Sequence, residues 1–83
     1  MNDTDRELLE LAAKAAGIRT TEGNDYWNPL EDDGDAFRLA VKLGLKIKGI
    51  EILIIEDDLE CDRLTATRRA IVLAAAGIGR EMK

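Results

Sequence analysis

Apolar residues recur with a helical period near the start of the chain. Leu8, Leu11, Ala12 and Ala15 fall at i, i+3, i+4 and i+7, one face of a helix. Asn2, Asp3 or Thr4 can cap its start, Asp5 and Glu7 suit the positive end of its dipole, and Gly17 fits a left-handed C-cap. A first helix is therefore expected over 4–16. Ile18 to Thr21 is short and β-branched, and reads as a brief strand. Glu22 to Leu30 is loop: Gly23-Asn24 favours a turn, and Pro29 pushes Asn28 out of the helical region.

A second helix follows, with Ala36, Phe37, Leu39, Ala40, Val41 and Leu43 as a broad apolar face and Gly44 at its end. The pattern then changes to period two. Leu45 and Ile47 are apolar at odd positions, Ile50, Ile52 and Ile54 at even ones, and the parity flips at Lys48-Gly49. A two-residue hairpin turn there gathers all five on one face and sets Lys46 opposite Glu51. A single strand with a glycine bulge also repairs the parity. The hairpin is preferred. Glu56 to Asp62 (EDDLECD) reads as an acidic loop. A third helix begins near Leu64 or Thr65, with Thr65 as cap, and runs to Gly79 or beyond. Ile71, Ala74, Ala75, Ile78 and Met82 form one face, and Val72, Leu73 and Ala76 make most of the remainder apolar too.

The order α-(β)-α-β-β-α predicts an α+β fold, a small layered α/β sandwich whose two- or three-stranded antiparallel sheet is packed by helices. At 83 residues it is one domain, 1–83, marginal in stability unless well packed or oligomeric. A third helix apolar nearly all round has little to bury it in so short a chain, and it is the expected surface for a homodimer.

Composition narrows the chemistry. The chain has 12 basic and 17 acidic residues, no histidine and one cysteine, Cys61. A net charge of −5 argues against direct nucleic-acid binding and against anionic membranes. A single cysteine excludes an internal disulfide framework and suits an intracellular protein; no secretory leader or membrane-length apolar run is seen. Serine and glutamine are absent as well as histidine, so Ser-His and Cys-His pairs are excluded. Catalysis would rest on carboxylates, lysines, threonines, Tyr26 or Cys61. Cys61 is flanked by Glu60 and Asp62, whose charges disfavour its thiolate. Gly77-Ile78-Gly79 has no strand before it and is no phosphate loop. No enzyme, cofactor or metal site is expected.

The stretch WNPLEDDGD, from Trp27 to Asp35, concentrates candidate residues: Trp27, Asn28, Asp32, Asp33 and Asp35. Its plainest reading is a turn followed by a helix N-terminus, with Asp32 or Asp33 as N-cap and Asp32/Asp35 at capping-box spacing. The functional reading is a patch for a basic protein partner, an aromatic ring beside carboxylates. A calcium loop fits poorly, because the oxygens are out of register. Nine of the 17 acids lie in this stretch and EDDLECD, which makes an acidic DNA mimic that inhibits a host nucleic-acid-binding enzyme the alternative function. Arg68 and Arg69 read as a solvated helix edge or as a site for a neighbouring copy's acids. Paired carboxylates holding a divalent metal are a third, weaker reading.

The blocks WNPLEDDGDAFRLAVKLGL and TATRRAIVLAAAGIGREM, with RELLELAAKAAGI ahead of them, resemble a family of small proteins of tailed phages and prophages, the phage α/β/α sandwich domain. The segment between the second and third helices is shorter here than in that family. The resemblance implies a layered fold, a phage or prophage origin and a place in the bacterial host cytoplasm. It implies no activity. The expected function is that of a non-enzymatic accessory protein acting through protein–protein contact and self-association.

Overall fold

A computed structural model describes residues 3–18 and 27–82. Among these, the chain forms four helices and no strand: α1 (Asp3–Ala16), α2 (Asp33–Leu43), α3 (Gly49–Leu59) and α4 (Arg63–Glu81). The expected sandwich and its antiparallel sheet are thus corrected to an all-helical fold, which also departs from the layered fold that the family resemblance implied. The brief strand expected over 18–21 falls largely outside the described residues, as does Tyr26.

The centre is α4, which packs against each of the other three helices. Its buried side is made of small residues: Ala66, Ala70, Ala75, Ala76 and Gly79, with Ile71 and Val72 between them. Small side chains let helix backbones come close. The closest neighbour is α1, whose Ala12, Ala13 and Ala16 are buried. Asp5 pairs with Arg69 at 3.1 Å and Lys14 Nζ donates to Met82 O at 3.0 Å, so α1 and α4 run parallel. Leu8, Leu9, Ala36, Leu39, Ile71 and Val72 complete the core. The apolar character of α4 on nearly every side is therefore accounted for within one chain, by three helical neighbours. Its buried face differs from the expected one, since Ile78 and Met82 stay substantially exposed.

The helix ends follow local chemistry. Asp32 caps α2, accepting from Asp35 N–H at 2.7 Å. Gly44 ends α2 with φ +62°, the left-handed conformation that glycine adopts without penalty. The first helix starts at Asp3, and Asn2, one of the expected cap candidates, lies outside the described residues.

The largest correction concerns 45–62. Leu45 to Lys48 is neither helix nor strand; Leu45 and Ile47 pack on the core while Lys46 and Lys48 are exposed. It has no partner strand. At Gly49 the chain turns helical instead of reversing as a hairpin, and Glu51 Oε2 accepts from Lys48 N–H at 3.2 Å. An isolated two-stranded ribbon is marginal in water, and no third strand is present among the described residues. As a helix, the same segment lays Ile55 beside Ala70 of α4. The expected acidic loop is shortened accordingly: Glu56 to Leu59 belong to α3, and only Glu60 to Asp62 form the turn.

Asp62, not Thr65, caps α4. Its Oδ1 accepts from Thr65 N–H at 2.7 Å. Hydrogen bonds from the Thr65 side chain and backbone hold its carboxyl below the ordinary value of 3.8, with a smaller contribution from the charge of Arg68. A carboxylate lowered by folding contributes stability above its unfolded pKa and loses it as pH falls through the folded one. Asp62→Ala is therefore expected to be less stable than wild type at neutral pH. The difference begins to fade as pH falls below about 4, where the unfolded carboxyl protonates, and is lost as pH passes through the lowered folded value. Urea titrations of both proteins at pH 7 and pH 3 check this.

Candidate functional site

Two regions carry candidate residues. The first is the WNPLEDDGD stretch. The turn at Asn28–Glu31 folds back on the start of α2: Asp32 N–H donates to Asn28 O at 2.8 Å, and Leu30 N–H to Asn28 Oδ1 at 3.2 Å. Pro29 is fully buried and Trp27 half-buried against the core. Asp35 is the hub. Its carboxylate is buried, accepts from Asn28 N–H at 2.9 Å, and takes Arg38 Nη2 at 2.7 Å. Half of a capping box is present. Asp32 receives Asp35 N–H, but the Asp35 carboxylate reaches Asn28 instead of returning to Asp32.

Arg68 fastens this turn to α4. Its Nε donates to Leu30 O at 2.9 Å, one terminal nitrogen meets Asp33 Oδ1 at 2.6 Å, and the other meets Thr65 Oγ1 at 3.0 Å. Arg69 pairs with Asp5 on another side of α4. The structure thus brings Trp27, Asn28, Asp33, Asp35 and Arg68 together as a clasp between α2 and α4, while Arg69 belongs to the α1–α4 interface. Both arginines have partners within the chain. Each carboxylate of the stretch also has one: Asp32 caps a helix, Asp33 holds Arg68, and Asp35 holds Asn28 and Arg38. Among the described residues no group of three or more acidic or cysteine side chains is arranged to hold a metal ion.

The second region is one that sequence reasoning missed. No residue of α3 is buried, although seven of its eleven residues are Gly, Ile or Leu. Ile52 and Ile55 are half-buried towards α4, yet no residue of the helix joins the main core cluster. Ile50, Leu53 and Ile54 are 60%, 50% and 53% exposed. At i, i+3 and i+4 they form one outward stripe. Leu73 of α4, also exposed, lies beside Ile54 across a shallow groove. Singly exposed apolar residues are ordinary on a protein surface, whereas here three stand together as one helical stripe. The sequence shows the apolar run itself, as ILII, but its assignment to a strand gave no sign that it would be a helix with an exposed face.

The charge around this stripe is polar in the literal sense. Lys46 and Lys48 precede it and are exposed; Asp57, Asp58 and Glu60 follow it and are exposed. None of these five takes part in an ion pair among the described residues. Glu56, by contrast, is held by Arg63 at 2.7 Å. Cys61 is half-buried, with Sγ 3.9 Å from Ile55 O.

A smaller apolar area lies on α2. Phe37 and Val41, part of the expected apolar face, are 68% and 63% exposed, and Phe37 lines a groove shared with Leu64 of α4. The buried face of α2 is instead Asp35, Ala36 and Leu39.

No protein-family profile, curated protein or solved structure matches this chain. No helix among the described residues is long and apolar enough to cross a membrane.

Proposed function

We propose that this chain is a non-enzymatic accessory protein, acting through protein–protein contact and pairing with a second copy of itself. One observation carries the reading: α3 is apolar on nearly every side but buries none of its residues within the chain. A helix of that composition is stable in water only when something covers it. The self-association surface is accordingly α3, with Leu73 beside it, and not α4, which the other three helices already surround. The resemblance of the two sequence blocks to small phage and prophage proteins supports an origin of that kind and the bacterial host cytoplasm as the place of action.

The acidic-decoy alternative has less support. Such a face needs free carboxylates, and Asp33, Asp35 and Glu56 are each held by an arginine of the same chain. Sedimentation velocity over a wide concentration range, under reducing conditions, tests the reading. A monomer–dimer equilibrium is expected, with the dimer lost on Leu53→Arg while the helical circular-dichroism spectrum is kept. A single species of monomer mass at every concentration discards it.

A further inference from the structure

The apolar stripe on α3 is bounded by opposite charges at its two ends, and this decides how a second copy would sit on it. Eleven residues at about 1.5 Å each separate the ends by roughly 16 Å, more than the screening length at physiological salt. The ends therefore act as separate poles. Lys46 and Lys48 make the basic pole. Glu51 lies near it, with its carboxylate engaged by Lys48 N–H. Asp57, Asp58 and Glu60 make the acidic pole. No side chain of either pole forms an ion pair among the described residues, so both charges are available to a partner.

Two copies can align their α3 helices in the same or in opposite senses. In the same sense, lysines face lysines and carboxylates face carboxylates, and the helix dipoles add. In opposite senses, each basic pole meets the other copy's acidic pole, the dipoles cancel, and Leu53 and Ile54 meet across a two-fold axis near the middle of the helix. A patch that is apolar in the centre and oppositely charged at its ends is complementary to itself only in this second arrangement.

We propose that α3 is the seam of a two-fold symmetric homodimer in which the two α3 helices run antiparallel, with Lys46 and Lys48 of each copy against Asp57 and Asp58 of the other. This rests on the self-association reading above and adds the partner's orientation.

Charge reversal tests it with sites that are exposed and outside the core. Three proteins are compared with wild type by sedimentation equilibrium at low and high salt: Lys46→Glu/Lys48→Glu, Asp57→Lys/Asp58→Lys, and the fourfold variant carrying all four changes. In the antiparallel seam each double variant puts like charges at both ends and is expected to weaken the dimer about ten-fold or more at low salt, less at high salt. The fourfold variant exchanges the poles and is expected to return to near wild-type affinity. Double variants as tight as wild type overturn the antiparallel seam. A wild-type dimer that Leu53→Arg leaves intact overturns α3 as its surface while self-association stands. A monomeric wild type overturns both.

Discussion

Gly79→Ala is expected to lower the stability of the chain by about 2 kcal/mol, a fall in melting temperature of roughly 8–16 °C for a domain of this size. A Cβ at position 79 would run into the backbone carbonyl of Leu11 on α1. That obstacle is main chain, which cannot swing aside as a flexible side chain would. The two helices would have to separate, and Ala12, Ala13, Ala75 and Ala76, all packed at the same interface, would lose contact together. Overpacking of this kind typically costs about 1–3 kcal/mol, and a backbone obstacle belongs at the upper end. Alanine's better helix propensity returns about 1 kcal/mol and sets the net figure. Gly77→Ala is the matched control. It lies two residues earlier in the same helix with no atom within 4 Å of its Cβ position, so only the propensity gain remains. It is expected to stabilise by about 0.5–1 kcal/mol. Thermal unfolding of the two variants should move in opposite directions. If both move upward, α1 and α4 do not approach as closely as described.

The same contrast separates what the sequence makes legible from what it hides. Three helices were readable because their signals are local. Leu8, Leu11 and Ala12 repeat at helical spacing, Asp32 stands where an N-cap belongs, and Gly17 and Gly44, both at positive φ, stand where C-caps belong. The close approach at Gly79 was not readable, because it depends on Leu11, far away in sequence. Nor was the clasp at Arg68, whose partners Leu30 and Asp33 lie 38 and 35 residues back.

The misread segment failed for another reason. From Leu45 to Lys48 the period-two pattern reports which side chains turn inward, Leu45 and Ile47, but not a strand. From Ile50 to Ile55 apolar residues occupy both parities, and such a run fits a covered strand and a covered helix equally well. The acids that follow tipped the reading towards a loop, since Glu56, Asp57 and Asp58 oppose the negative end of a helix dipole. The chain accepts that opposition and also places Glu60, a residue without glycine's freedom, at φ 50°. The site is the part least legible in sequence. Exposure of Ile50, Leu53 and Ile54 is a property of how α3 lies on α4, and no periodicity encodes it.

Asp35→Ala is expected to cost about 2–3 kcal/mol, and to do so in a way that a fluorescence signal localises. Asp35 is 9% exposed, and its carboxylate makes two charge-assisted bonds, to Asn28 N–H and to Arg38. Hydrogen bonds to a charged group contribute about 1.5–3 kcal/mol, and truncation leaves the Asn28 N–H without its acceptor in a partly buried turn. That turn seats Pro29 and Trp27 on the core. Its loosening should therefore be felt at Trp27, the one tryptophan of the chain. Asp35→Asn keeps an oxygen for Asn28 N–H and removes only the charge that Arg38 meets. Because Arg38 is mostly exposed, that loss is screened and small, and Asp35→Asn should fall much nearer to wild type than Asp35→Ala. Urea unfolding followed by far-ultraviolet circular dichroism measures the stability loss. Emission of the folded proteins reports the turn, and a red shift is expected for Asp35→Ala with helix content retained. Equal stability and unshifted emission in Asp35→Ala would mean that Arg68, gripping Leu30 O from α4, holds the turn in place without help from Asp35.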